Sequence, residues 1–424
     1  TYSFETFFEI YYKGNKFSGD FMRYYLIFPV LFLFCPFIAF VVSLIVLFTR
    51  NISERETTLC LVVMSMFWGI LAFTQKSLAT EDTDCIRYYG SFEYFEGWSP
   101  LSAIASLNLI EILNYIFSPV SVFVVAFTHN VQSISFFWTS LVYLLTFLSM
   151  RRLMKYYECY EQKKFAQLVL IMTFCFLAFV QISELLKNSA AFAVFFYAFT
   201  LYVTNRNRFV VWILVLASIG IHSSVIMLLP LFFYKLVNTK MALIVAIVVF
   251  LLSLTVDIID VLMNLLPSGV YFDLLLERFA DKDYGSSGTL HYIAIQISMV
   301  GTAFYLWFKS KRNETQLLEA VNIIMLYFIV CIVNFYQLTA FLRFSIFSHW
   351  LFGLITIWYL KKSYVPSYKR MMSMMIIFMF FMTLRWTYSR TMVKGGYCSS
   401  YMDNSITNII FSTSYDYICV DYEK

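Results

Sequence analysis

Residues 24–49 read YYLIFPVLFLFCPFIAFVVSLIVLFT and contain no charged side chain. The hydrocarbon core of a bilayer is about 30 Å thick, and about 20 helical residues cross it. The run is too long for the apolar part of a secretory signal, roughly 7–15 residues, so it reads as a membrane span. Working outward, apolar runs of similar length recur at 57–75, 132–150, 164–182, 189–204, 290–308, 318–336, 344–360 and 371–386. The stretch 209–257 is apolar almost throughout, but His222-Ser223-Ser224 and Pro230 interrupt it. It reads as three crossings, two of them short, with a turn at His222. A single bent helix followed by a re-entrant piece is the other reading.

Composition agrees. Of 424 residues, 60% are apolar and 13% charged, against about 45–50% and roughly 25% in soluble domains. These values exclude a soluble globular enzyme, a disordered tail and a nucleic-acid-binding module. The fold class expected is an all-α polytopic membrane protein. The formal charge of +5 is small and reads as cytoplasmic loop bias rather than a patch for polyanions. Aromatics make up 20%, with 47 Phe and 31 Tyr. They suit interfacial belts and equally a cavity that stacks on sugars.

Lys and Arg in short loops set orientation. Four basic links occur: Arg151, Arg152, Lys155, Lys163 and Lys164; Arg206 and Arg208; Lys309, Lys311 and Arg312; and Lys361, Lys362, Lys369 and Arg370. All four are expected in the cytoplasm. Loops 76–112, 183–188, 258–289 and 337–343 and both termini then face out. The count closes at about 12 transmembrane helices if 101–128, with Glu111, Asn114 and Pro119, forms a re-entrant or interfacial helix. The expected domains are an extracytoplasmic N-terminal segment (1–23), a transmembrane domain (24–386) and an extracytoplasmic tail (387–424). No internal repeat is evident.

The eight cysteines include no C-x-x-C pair. Cys35, Cys60, Cys175 and Cys331 lie in apolar runs and read as packing residues. Cys398 and Cys419 would close a loop of about 20 residues, worth roughly 3 kcal/mol, if the tail is oxidised. Four histidines, none spaced i,i+4, argue against a metal site. No phosphate loop, dinucleotide fingerprint or serine-nucleophile elbow is present. No metal and no cofactor is expected.

Ionisable groups near spans are costly and normally face a cavity or a partner. Most collect on the expected outer side. Arg343, in Phe341-Leu342-Arg343-Phe344, is either a snorkelling interfacial arginine or a guanidinium fork for phosphate. His222 is either a polar helix breaker bonded to backbone or a general base. Asp82 and Asp84 flank Thr83. They are either solvated loop charge or carboxylates that orient or deprotonate a sugar hydroxyl. Tyr88, Tyr89, Tyr94, Trp98 and Tyr271 lie in outer loops, as interfacial aromatics or as sugar platforms.

Four stretches, taken in order, resemble the EpsG-like family of bacterial polysaccharide polymerases, related to Wzy O-antigen polymerases. The first is Asp84-Cys85-Ile86-Arg87-Tyr88-Tyr89, similar to the family's Asp-x-x-x-Tyr loop. The second is Ile182-Ser183-Glu184-Leu185-Leu186-Lys187-Asn188-Ser189-Ala190, at the family's short outer turn. The third, Ala217 to Pro230 around His222, matches most closely, and the fourth is Arg343-Phe344. The likeness spans roughly residues 24–386. One departure stands out. Where the family usually has Arg-Gln, this chain has Lys187-Asn188. Lysine keeps the charge and loses the bidentate fork.

The resemblance implies a C-type, lipid-dependent glycosyltransferase bundle in the bacterial plasma (inner) membrane. The substrate implied is an undecaprenyl-pyrophosphate-linked oligosaccharide, with membrane lipids around it, and a chain-length regulator is a further partner the family allows. A growing glycan would pass from its lipid pyrophosphate to a hydroxyl of a lipid-linked repeat unit. Arg343, Lys187 and Arg278 are the expected pyrophosphate cations, and Arg343, Asp84 and His222 the expected catalytic residues. Asp82, Arg87, Tyr88 and Tyr89 are the expected glycan contacts. A transporter of lipid-linked glycan, which commonly shows repeats with paired broken helices, and an O-antigen ligase or acyltransferase are the competing readings.

Overall fold

The computed structural model describes residues 20–75, 84–107, 116–253, 255–258, 287–309, 314–335, 338–362, 365–388 and 406–418. Every regular element among them is helical. In chain order these are α1 (Asp20–Phe34), α2 (Pro36–Thr49), α3 (Glu54–Phe73), α4 (Asp84–Phe92), α5 (Pro100–Ser106), α6 (Phe117–Thr128), α7 (Ser133–Tyr156), α8 (Gln162–Ile171), α9 (Phe179–Glu184) and α10 (Leu186–Val203). There follow α11 (Arg208–Ile221), α12 (Thr239–Ser253), α13 (Ser287–Lys309), α14 (Thr315–Val333), α15 (Leu338–Ile346), α16 (Ser348–Lys361), α17 (Pro366–Tyr388), α18 (Ile406–Phe411) and α19 (Ser414–Ile418).

Five helical stretches among the described residues are long and apolar enough to cross a bilayer: Glu54–Phe73, Ser133–Tyr156, Leu186–Val203, Thr315–Val333 and Ala340–Lys361. Six apolar helices are shorter. The described residues therefore support a helical membrane protein without showing the expected count of about 12 spans, and several apolar runs are broken. The run 24–49 divides at Cys35, which is extended (φ −161°, ψ 91°) ahead of Pro36. Proline disfavours helical backbone in the residue before it and is well placed as the first residue of a helix. The run 164–182 passes from α8 into a π-helical turn at Met172–Phe176 and restarts at Phe179. Thr383 of α17 donates to the carbonyl of Cys175 in that turn (2.8 Å). The run 209–257 becomes α11, a 3-10 helix at Ser223–Phe233, and α12, with His222 at the first junction.

The long helices run in both directions, and their pairing is read from their ends. α3 starts at a capping box, in which Ser53 N–H donates to Glu56 (2.7 Å) and Glu56 N–H to the Ser53 hydroxyl (3.3 Å). Beside that start, Glu54 pairs with Lys155 at the end of α7. At the far end of α3, Gln132 donates to the Phe73 carbonyl (2.8 Å), so α7 runs antiparallel to α3. Lys362 pairs with Glu314 (2.6 Å), bringing the end of α16 to the start of α14. Arg151, Arg152, Lys155, Arg206, Lys361 and Lys362 thus share one end of the bundle, the basic end. α4, α9, α15 and the start of α16 lie at the opposite end.

Glu96 and His129 join across that opposite end. The Glu96 carboxylate accepts from Val131 N–H (2.8 Å), and its carbonyl lies 2.6 Å from His129 Nδ1. The residues that flank this segment on both sides therefore lie at the same end. The residues 406–418 return to the break in the first apolar run. Ser414 donates to the Phe32 carbonyl (2.6 Å), and the Cys35 thiol to the carbonyl of Ile410 (2.9 Å). Cys398 and Cys419 lie outside the described residues. Large apolar side chains stay exposed on α11 (Phe209, Trp212, Leu216), α12 (Ile244, Ile247, Leu251) and α17 (Ile377, Phe381, Leu384). Surfaces of this kind belong in lipid.

Candidate functional site

The site is built on α4. Its buried positions, Cys85, Tyr89 and Phe92, recur every three or four residues and form one face of a helix. Tyr89 is fully buried, with its hydroxyl 2.5 Å from the Ser135 hydroxyl. The Cys85 thiol donates to Gln75 (3.4 Å) and also meets Ser135 (3.4 Å), and Gln75 donates to the Ser183 hydroxyl (2.5 Å). These bonds fasten α4 to the end of α3, the start of α7 and α9. Burial pushes the Cys85 thiol up to about 11, and the nearby Glu184 and Asp84 carboxylates add to the rise. It stays protonated at neutral pH and is no nucleophile.

The other face presents Asp84, Arg87 and Tyr88. Asp84 and Arg87 form an ion pair, with Arg87 largely exposed. The Tyr88 ring packs on Phe117 at 5.0 Å between centroids. Burial raises the Tyr88 phenol above its ordinary value and Asp84 raises it further, while Arg343 and Arg87 draw it back. Four groups thus share one electrostatic neighbourhood: Asp84, Arg87 and Tyr88 from α4, and Arg343 from the last turn of α15. A cation at a helix C-terminus also suits the helix dipole.

The backbone beside Arg343 is held from within the bundle. The carbonyl of Phe344 accepts from the Tyr327 hydroxyl (2.8 Å), which accepts in turn from Gln296 (3.0 Å). A second buried chain crosses three helices. Gln181 of α9 donates to the Tyr292 hydroxyl of α13 (2.6 Å), and its Oε1 lies 3.1 Å from Nε2 of His349 on α16. An amide oxygen only accepts, so the His349 proton sits on Nε2. Glu184, one helical turn beyond Gln181, is also buried. Sequence reasoning did not single out Gln181, Tyr292, Gln296, Tyr327 or His349 as site residues. The signal was present, since polar and ionisable side chains within apolar runs normally face a cavity or a partner.

His222 lies between α11 and the 3-10 helix. Its Nδ1 accepts from the Ser224 N–H (3.2 Å), so it caps that helix. With Nδ1 accepting in this cap, the ring proton sits on Nε2 in this arrangement. Just before it, Ile116 N–H donates to the Gly220 carbonyl (2.6 Å). A Cβ on Gly220 would lie 2.9 Å from the Ile116 side chain, which would have to shift to admit it. Phe117, the next residue, is the ring against Tyr88. That contact path ties His222 to the α4 cluster.

Lys187 is half-buried in the first turn of α10, three residues after Glu184. Tyr94 and Trp98 pack at 5.3 Å between ring centroids, with Tyr94 exposed. Asp82, Tyr271 and Arg278 lie outside the described residues. Among the described residues no group of three His, Cys, Asp or Glu is arranged to hold a metal.

The arrangement offers a carboxylate, a phenol and two guanidinium groups at one end of an apolar bundle. It can orient a hydroxyl and attract an anion at the same place. No curated protein and no solved structure matches the chain. The model of the EpsG family matches residues 57–401, from the first turn of α3 past the end of α17. The match takes in the α4 cluster, the His222 junction and Arg343, and the chain belongs to the EpsG family.

Proposed function

We propose that this protein is a polysaccharide polymerase working at the end of the bundle that carries α4 and α15. By the positive-inside rule, that end faces the outside of the bacterial plasma membrane. The donor in this reading is a glycan on undecaprenyl pyrophosphate, and the acceptor is a hydroxyl of a lipid-linked repeat unit. The bundle is read as a C-type, lipid-dependent glycosyltransferase, with the shorter helices completing the crossings. The observation that carries the reading is that Arg343, far away in sequence, comes into the electrostatic neighbourhood of Tyr88 on α4, beside the Asp84–Arg87 ion pair.

Chemistry assigns the roles. The bond from the anomeric carbon to the pyrophosphate oxygen breaks, and a bond from that carbon to the acceptor oxygen forms. The acceptor proton needs a base, and Asp84 is the carboxylate in the cluster. The departing pyrophosphate gains negative charge, which the Arg343 guanidinium matches with paired donors. Lys187 and Arg278 are the further cations of this reading, and His222 donates a hydrogen bond. Arg87 and Tyr88 border the acceptor, together with Asp82. Tyr89, buried against Ser135, serves here as a support for α4 and not as a sugar contact. A chain-length regulator would act on this protein as a partner.

Replacing Arg343 by Ala is expected to abolish long glycan in cells while membrane abundance stays unchanged. The loss of rate expected is about 10²–10³-fold, the usual effect of removing one transition-state donor. Arg343→Lys keeps charge without the fork and is expected to fall between. Purified protein mixed with lipid-linked repeat units in detergent should yield polymer with no bilayer present. If it yields none, while the units cross the membrane of reconstituted vesicles, the chain is a transporter and this reading is wrong.

A further inference from the structure

At the basic end, a cavity of about 430 Å³ opens between the start of α3, the end of α7 and the end of α10. Arg151, Arg152, Lys155 and Arg206 line it, with Glu54 as the only carboxylate among the described residues that do so. Positive-inside bias explains why cations gather at this end. It does not explain why four of them surround one hollow. Arg151 is held in place, donating to the Thr58 hydroxyl (3.0 Å) and the Glu54 carbonyl (3.2 Å). Lys155 is paired with Glu54. Arg152 lies over the Tyr197 ring at 5.8 Å, and its Nη1 is buried without a hydrogen-bond partner. Arg206 stands exposed at the rim. A buried guanidinium nitrogen left unbonded is costly, and Arg152 is one of the four cations that line the cavity.

We propose that this cavity binds a phosphodiester anion, supplied by the headgroup of an anionic phospholipid from the adjoining leaflet. Basic pockets between membrane helices recognise such headgroups through charge and paired donors. Four cations against one carboxylate leave a surplus that one or two phosphodiesters would balance. The walls are formed by the ends of membrane-length helices, at the level where headgroups lie. A soluble pyrophosphate offers the same chemistry from water. The site is separate from the α4 cluster at the other end and stands without the polymerase reading, which bears only on the leaflet.

The test uses the purified full chain in neutral detergent at low salt and reads its thermal midpoint. Mixed micelles with phosphatidylglycerol or cardiolipin should raise the midpoint saturably, and phosphatidylcholine should not. Arg206→Gln, a change at an exposed position, should weaken the apparent lipid affinity about fivefold, the usual effect of one basic residue near a charged surface. Arg152→Gln combined with Arg206→Gln should remove the saturable shift. Sodium pyrophosphate decides the source. A shift with lipid alone assigns the headgroup, and a shift with pyrophosphate as well assigns a site open to soluble anions. No shift with either anion overturns the proposal. So does an affinity in Arg206→Gln equal to that of the parent chain, a result that stands even if the double variant does not fold.

Discussion

Arg343, Tyr88 and Gln181 show how differently single residues declare themselves. Arg343 stands out in the sequence because a guanidinium among Phe341, Leu342 and Phe344 has to be explained. Tyr88 stands out only as the tyrosine of the Asp84-to-Tyr88 stretch, and the structure adds the charges around it. Gln181 is inconspicuous in an apolar run, yet it joins α9 to Tyr292 of α13 and His349 of α16. Replacing Gln181 by Leu removes two buried bonds, each worth about 0.5–1.5 kcal/mol. A loss of about 1–2 kcal/mol in detergent unfolding is expected, with polymer output reduced more than protein abundance. An unfolding curve matching the parent chain would show that the two bonds contribute nothing.

At the scale of elements, the helices were legible and their interruptions less so. The runs at 57–75, 132–150, 189–204 and 318–336 became long helices close to their expected places, because run length and hydropathy are local properties. The division at Cys35 was readable from Pro36 but outweighed by the unbroken apolar run. The π-turn at Met172–Phe176 has no local signal; its backbone closes from Leu177 N–H to the Met172 carbonyl, and Thr383 of α17 adds a bond to Cys175. Close packing is similar. In α3, a Cβ on Gly69 would lie 2.6 Å from the Phe136 carbonyl of α7. Small residues let membrane helices approach in this way. Gly69→Ala is therefore expected to destabilise by about 1–3 kcal/mol, since backbone cannot yield as a side chain does. Gly97→Ala meets nothing within 4 Å and should stay within about 0.5 kcal/mol of the parent. Thermal midpoints of the two variants, compared side by side, check both.

At the scale of the molecule, charge separates the two ends. Basic links distant in sequence meet at one end, where Lys362 joins Glu314 and Lys155 joins Glu54. The α4 cluster occupies the other. Single cysteines at the exposed positions Tyr94 and Arg206, with Cys398 and Cys419 replaced by Ser, test the orientation. An impermeant thiol reagent should label Tyr94→Cys in intact cells and Arg206→Cys only after permeabilisation. The reverse pattern would place α4 in the cytoplasm and remove the outer-face reading.

The amino-acid sequence by itself determined that this chain is helical and belongs in a membrane. Without water, backbone polar groups must bond within their own segment, and uncharged runs of this length have no other stable setting. It also marked Asp84, His222 and Arg343, since isolated polar groups beside apolar runs are conspicuous. Only the tertiary structure decided which of them meet. Arg343 enters the electrostatic neighbourhood of Tyr88 because α15 lies at the end where α4 is fastened. Gln181 finds His349, and Arg152 faces a basic hollow, through contacts between helices far apart in the chain. Such contacts arise from the packing of whole helices, and no local spacing of residues encodes them.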